Sequence, residues 1–342
     1  MALRRAFACA AACALVAAIA LPSYAQEKRK LSKEETNHYE ALHTLVDAVS
    51  SGKQPAPADV KLTMHNFFLL SGGDVYIPFT LDLNPAFSQF PVGMYVRAVA
   101  KTPAAAPSGP NKGKRVGGGA PASSEGGPAY AFEDIAFYPD KSDQVNRALE
   151  LPPGDYDLYI AMSERPSKDK KAPAPKTTVL LEKLTVPNLT SGLAVSSIIL
   201  AKSLEPSGVQ LNGQQQLEQP YTISGFKITP TFNNSFPKSG ELLWVFYIYN
   251  EGAAANGKPD LTVDYNFFRA GEDKPFVNMP SSAYNATTLP PEFNLTAGHT
   301  VFVGQGVPLT TFNPGEYKVE MKITDKTNSQ ALTRSVNFTV TP

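Results

Sequence analysis

The chain has 342 residues, with 31 basic and 31 acidic side chains, 30 prolines, 24 glycines and two cysteines. Balanced charge without a dominant basic face excludes nucleic acid as a partner, because that binding runs on phosphate neutralisation. Both cysteines, Cys9 and Cys13, lie within the first 25 residues.

Those first residues read as a secretory signal peptide over 1–25. Arg4 and Arg5 form the positive start, Ala6 to Leu21 the apolar stretch, and Ser23-Tyr24-Ala25 a small-x-small cleavage site. About 16 apolar residues are too few for a comfortable membrane span. Cleavage after Ala25 leaves an exported chain, periplasmic or secreted, with no cysteine and no transmembrane span. Cys13 is disfavoured as a lipid acceptor because Ala10 stands where leucine is usual. Thiolate catalysis, CxxC redox chemistry and cysteine-bound zinc are therefore excluded from the mature protein. Removal of Arg4 and Arg5 also gives a net charge of 29 − 31 = −2 with histidines neutral.

Residues 26–56 read as a charged linker followed by an amphipathic helix. Ser32 and Glu35 form a capping box, in which hydroxyl and carboxylate satisfy free N–H groups at the helix start. Tyr39, Leu42, Leu45, Val46 and Val49 fall on one stripe, and Gly52 and Pro55 end the helix. The stripe predicts packing against the first domain or a second copy; recruitment of another protein is the alternative.

From about residue 60 the apolar period changes to two. Val75, Ile77, Phe79, Leu81 and Leu83 alternate with more polar neighbours, as do Tyr156, Leu158, Ile160 and Met162. Tyr317, Val319, Met321 and Ile323, then Leu332, Val336, Phe338 and Val340, repeat the pattern. Strands with one wet and one dry face predict antiparallel sheets packed in pairs. The stretches 102–128, rich in Ala, Gly, Pro and Ser, and 165–176, rich in lysine, read as loops inserted between strands.

Pro153-Gly154-Asp155-Tyr156-Asp157-Leu158 is echoed by Pro314-Gly315-Glu316-Tyr317-Lys318-Val319. Gly73-Asp74-Val75-Tyr76-Ile77 loosely parallels Gly240-Glu241-Leu242-Leu243-Trp244 at a similar offset. The interval is too long for a solenoid unit and suits a duplicated domain. The Gly-x-Tyr-x-apolar pattern resembles the tyrosine corner of immunoglobulin-like and fibronectin-type-III-like β-sandwiches, where a tyrosine hydroxyl folds back onto the corner's backbone. Leu158 and Val319 stand where antibody-type domains carry a cysteine, so the inter-sheet disulfide of those domains is absent. The resemblance implies an all-β protein of two tandem antiparallel Ig-like β-sandwiches, as in bacterial exported tandem Ig-like proteins. Their expected bounds are 57–204 and 221–342, joined by a polar linker over 205–220.

No catalytic, cofactor-binding or metal-ligating set emerges. His38 and His43 lie five apart and off a shared helical face, unlike the i, i+4 pair of a metalloprotease. His65 and His299 are solitary. No Gly-x-Ser-x-Gly elbow occurs. Glu133 and Asp134 are neighbours in a strand, so they point to opposite faces and cannot flank one bond. The glycines around Lys112-Gly113-Lys114 lack phosphate-loop spacing.

The strand at 242–249 is apolar on both faces. Leu242, Trp244, Phe246 and Ile248 fill one. Leu243, Val245, Tyr247 and Tyr249 form the other, which something should cover: the other domain, a loop such as Phe276 to Phe293, a partner chain or a ligand; it is the candidate recognition surface. These features point to a non-enzymatic cell-envelope protein that binds a protein partner through that surface. The alternative is a carbohydrate-binding module that stacks glycans on coplanar exposed rings. On this reading, replacing Tyr247 and Tyr249 by serine weakens partner capture and leaves the melting temperature nearly unchanged.

Overall fold

A computed structural model describes residues 30–102, 130–166, 171, 173–209 and 211–342. The expected signal peptide and the 102–128 insertion, apart from residue 102, lie outside the described residues, as does part of 165–176. The described chain is β-rich and divides into two compact units. One comprises 30–188 and 211–220, the other 189–209 and 221–342.

The first unit opens with helix α1 (Lys33–Ser50). Its capping box is formed as the sequence predicts. Ser32 N–H donates to Glu35 Oε2 at 2.9 Å, and Glu35 N–H donates to Ser32 Oγ at 3.3 Å. Eight strands follow: β1 (Lys61–Asn66), β2 (Leu69–Ser71), β3 (Asp74–Asn84), β4 (Val92–Ala100), β5 (Phe132–Tyr138), β6 (Gln144–Leu151), β7 (Gly154–Glu164) and β8 (Thr177–Val186). β3 is the centre of one sheet, flanked by β1 and β2 on one edge and β6 on the other. The second sheet runs β5-β4-β7-β8, antiparallel throughout.

Ile77, Phe79 and Leu81 of β3, with Met94 of β4 and Leu158 and Ile160 of β7, are fully buried. The opposite face of β4 and β7 is also dry, because α1 lies over it. Tyr39, Leu42 and Val46 pack there on Tyr95, Ile135, Tyr159, Ala161 and Val179. Each of those three helix side chains contributes roughly 1.5–3 kcal/mol by leaving water. The helix thus encloses both faces of the central strands β4 and β7 in a sheet expected to be half-wet, while β8 keeps exposed residues such as Leu181.

The second unit contains β9 (Ala194–Val195), β10 (Ile199–Pro206), β11 (Thr222–Ile223), β12 (Phe226–Pro230), β13 (Ser235–Pro237), β14 (Glu241–Tyr249), β15 (Leu261–Arg269), β16 (Val277–Tyr284), β17 (Val301–Pro308), β18 (Gly315–Asp325) and β19 (Gln330–Thr341). One sheet runs β11-β12-β10-β14-β17, with β9 also on β14; the other runs β13-β19-β18-β15-β16. Only the β13–β19 pair is parallel among the described ladders. The two sheets share a core that joins Trp244, Phe246, Tyr265, Phe267, Phe312, Tyr317 and Phe338.

The expected boundaries at 204 and 205–220 need correction. Ile199, Leu200 and Ala201 pair with Val245, Trp244 and Leu243, which places β10 in the second unit. Conversely, 211–220 is not a bare linker. Asn212 caps a short helix, α2 (Gly213–Glu218), through a capping box with Gln215. The segment returns to the first unit: the Tyr76 hydroxyl donates to the carbonyls of Gln216 and Pro220, 3.1 Å in each case.

Candidate functional site

The outer face of β14 does carry the four residues read from the sequence, but the chain covers much of it. The β11–β12 hairpin turns through Ser224 and Gly225, at φ 53° and 77°. That turn delivers Ser224 Oγ to the Tyr247 hydroxyl and brings Phe226 onto Phe302, ring centroids 5.7 Å apart and nearly parallel. Phe302 also meets Tyr247 at 5.2 Å, and the Tyr247 and Tyr249 rings stack at 6.1 Å with 5° between their planes. Val245 is 2% exposed and Tyr249 6%, while Leu243 and Tyr247 are half-buried. Val245 and Tyr249 therefore belong to the packing rather than to an open surface. The two stacked rings do not form an exposed platform of the kind a glycan would need.

A polar cluster that the sequence did not reveal lies between α1 and the β5-β4-β7-β8 sheet. Arg97, 1% exposed, projects from β4 toward the helix. Its Nη1 donates to Asp47 Oδ1 at 2.6 Å and its Nε to the Tyr95 hydroxyl at 2.8 Å. The guanidinium carbon also sits 4.0 Å from the centroid of the Tyr130 ring, in cation–π geometry. The Tyr95 hydroxyl donates to Glu133 Oε1, which accepts a second bond, of 3.3 Å, from Tyr39. His43 bridges two carboxylates, its Nδ1 3.2 Å from Asp47 and its Nε2 3.8 Å from Glu133.

The electrostatics follow from this packing. Burial, then the bond to Glu133, pushes the Tyr95 phenol far above its ordinary pKa of 10.0. Tyr39 shifts the same way, from burial and the Glu133 charge. Burial works against the charge on Arg97, but the Asp47 bond and Tyr95 outweigh it and hold the guanidinium above its ordinary value.

The cluster's geometry limits its chemistry. The two carboxylates approach opposite nitrogens of the His43 ring, so one ion cannot be chelated by that imidazole and both acids. Among the described residues, no group of three or more His, Cys, Asp or Glu side chains is placed to hold a metal. Arg97, Asp47, Tyr95, Tyr39 and Glu133 are bonded to one another, although Arg97 Nη2 is buried with no hydrogen-bond partner among the described residues. What the arrangement achieves is to fasten the last turns of α1 to β4 and β5.

The adjacent acids Glu133 and Asp134 separate as the strand period requires. Glu133 faces α1, whereas Asp134 Oδ2 accepts from Arg147 Nε at 2.8 Å, both side chains being at least 95% buried. His38 lies at the other end of the helix, with Nε2 2.7 Å from Ser163 Oγ. Its Nδ1 has no hydrogen-bond partner among the described residues. Glu164, 1% exposed, accepts from the Ser88 N–H and hydroxyl and from the Gln89 and Lys176 N–H groups at 2.8–3.0 Å. It staples three segments, Oε1 taking three of the bonds and Oε2 one. His65 pairs with Asp82 at 2.9 Å, and His299 Nδ1 accepts the Asn294 N–H at 3.0 Å.

No protein-family profile and no curated protein matches the chain. Among solved structures, Escherichia coli alpha-2-macroglobulin activated by porcine elastase is similar over 83% of this chain and 22% of that one. The identity is 10% and the TM-score 0.22. The native conformation of the same Escherichia coli protein gives 10% identity, 83% and 17% coverage, and a TM-score of 0.22. A mutant of Salmonella alpha-2-macroglobulin gives 10%, 83%, 17% and 0.20. The chain thus spans about a fifth of the length of those structures, and likeness at this level carries no functional argument.

Proposed function

We propose that this protein is an exported, non-enzymatic cell-envelope protein of two tandem Ig-like β-sandwiches, which works by binding another protein. The observation that carries this reading is the recurrence of one corner in both units. Tyr156 donates to Pro152 O at 2.9 Å and Tyr317 to Asn313 O at 2.7 Å, each four residues back, where a strand begins after Gly154 or Gly315. That bond is the feature of the immunoglobulin-like superfamily that the sequence resembles. The bonds among Asp47, Arg97, Tyr95 and Glu133 under α1 fasten the helix to β4 and β5, which supports a structural role for that cluster. No helix among the described residues is long and apolar enough to cross a membrane.

Within this reading, Leu243 and Tyr247 are the members of the β14 face that a partner touches, since Val245 and Tyr249 are enclosed. Two measurements test it. Export predicts that protein recovered from the producing cell begins at Gln26 and lies outside the cytoplasm. A photo-crosslinking amino acid at position 243 should give one discrete protein adduct in the envelope fraction, whereas an equivalent probe at buried Ile248 gives none. A cytoplasmic protein with an intact N-terminus, or a probe at 243 that captures nothing, overturns the proposal.

A further inference from the structure

The second unit holds a pair of acids at the point where its chain begins. Asp325, at the end of β18, is fully buried. Its Oδ2 accepts the Gly252 N–H at 2.8 Å, and its Oδ1 accepts those of Thr327 and Asn328 at 2.9 and 3.3 Å. One carboxylate thereby ties the segment after β14 to the β18–β19 turn. The approach is close: a Cβ on Gly252 would lie 2.5 Å from Asn328 Oδ1 and 2.8 Å from Thr327 Cβ. Glu251 is the next residue back, and its Oε1 is buried with no hydrogen-bond partner among the described residues.

The same joint grips the first residues of the unit. Asn250, at φ 60°, donates through Nδ2 to Leu189 O at 2.9 Å and Gly192 O at 2.8 Å. From the turn side, Gln330 Oε1 accepts the Leu193 N–H at 2.9 Å. Residues 189–193 are thus held by one side chain at the end of β14 and one at the start of β19. Glu251 directly follows one anchor, Asn250, in the chain, and Asp325 is the cross-strand partner of the other, Gln330.

We infer that Glu251 and Asp325 form a proton-operated clamp: protonation of Glu251 keeps residues 189–193 fastened, and its ionisation loosens them. An ionised Glu251 would set a second negative charge against Asp325, whose oxygens are already committed, with Oε1 lacking a donor. Burial, then the Asp325 charge, raises the Glu251 pKa from 4.5 to about 7, against the N–H bonds of Glu251 and Val301. The folded value lies above the unfolded one. The stability is therefore complete below about 4.5 and is lost as pH climbs through about 7.

The other charged groups near the joint are engaged elsewhere. Lys326 pairs with Asp260 at 3.9 Å, and Lys258 Nζ donates to the carbonyls of Leu289 and Pro290 at 3.1 and 2.7 Å. His299, which precedes β17, accepts from Asn294. Residues 189–193 contain no titratable side chain.

The test is amide hydrogen exchange on the full chain between pH 5.5 and 8, corrected for the intrinsic pH dependence of exchange. Wild type should lose protection at 189–193 and 250–257 by roughly tenfold across that range. Glu251→Gln should stay protected throughout, while Glu150→Gln in the other unit should keep the wild-type response. Carboxyl-carbon NMR of wild type gives a second measurement that needs no variant. A Glu251 midpoint near 7 supports the clamp. A midpoint at the ordinary value, or equal pH dependence in wild type and Glu251→Gln, overturns it.

Discussion

Tyr156 and Tyr317 make the same bond in the two units: each phenol donates to the carbonyl four residues before it, across the turn that opens β7 or β18. Both side chains are otherwise buried, at 3% and 4% exposure. Replacing either by phenylalanine strands a carbonyl and should cost about 1 kcal/mol, read as a lower urea midpoint. Because the bonds lie in separate units, the two losses should add in the double variant. A cost for one substitution and none for the other would show the corners to be unequal.

Arg97 fixes the end of α1, and removing its charge should release that end. Arg97→Met is expected to destabilise the first unit by about 2 kcal/mol, through the stranded Asp47 and the lost Tyr130 contact. Asp47→Asn should cost less, near 0.5 kcal/mol, because Asp47 is 48% exposed and solvent screens its side of the pair. Urea denaturation monitored by circular dichroism ranks the two. Equal effects would mean that the ring over Arg97 contributes nothing.

The enclosed pair Asp134–Arg147 makes a different forecast. Either single replacement, Asp134→Leu or Arg147→Met, leaves a buried charge alone and should cost about 3–5 kcal/mol. Making both together should restore most of that loss, since a well-packed apolar pair replaces a desolvated ionic one. A double variant as unstable as the worse single one would show that the charges hold the sheets in place.

On β14 the sequence alone leads to an expectation that the structure reverses. Tyr249→Ser should lower the melting temperature strongly, by about 3 kcal/mol of lost packing, because the ring is buried and stacked on Tyr247. Tyr247→Phe should be milder and remove only the bond to Ser224. Unchanged melting of Tyr249→Ser would return that ring to the open surface.

His38 gives the first unit an acid-side sensitivity. Burial, then the nearby Arg165 charge, lowers its pKa below 6.5, outweighing the opposing bond to Ser163. A folded pKa below the unfolded one means the stability is present above 6.5 and is lost as pH falls through the folded value. His38→Gln should flatten stability against pH below 6.5, measured by chemical denaturation at several pH values. The ring also leaves no room at Gly93, where an added Cβ would lie 2.8 Å from His38 Cε1. Gly93→Ala should therefore cost about 1–3 kcal/mol.

Much of the secondary structure was readable from local pattern. The capping box at Ser32 and Glu35 depends on residues three apart, and the strands at Asp74–Asn84, Gly154–Glu164 and Gly315–Asp325 show their period directly. Helix α2 escaped because its glutamines carry no apolar stripe, although Asn212 and Gln215 spell the same kind of cap. The cluster under α1 was not legible, because Asp47, Arg97 and Glu133 meet only through strand pairing and helix docking. Both faces of β14 read as apolar, and the sequence posed the question of what covers the second. The answer required a hairpin whose turn residue, Ser224, has no apolar signature.

The Glu133-Asp134 dipeptide has one more consequence. A one-place slide of β5 along β4 would thrust Glu133 into the space between the sheets and swing Asp134 out toward α1. Arg147 and the Tyr95–Tyr39 hydroxyls would each then confront the wrong neighbour. Two consecutive acids with unlike partners thus act as an alignment key, admitting one seating of the strand and penalising its nearest competitor.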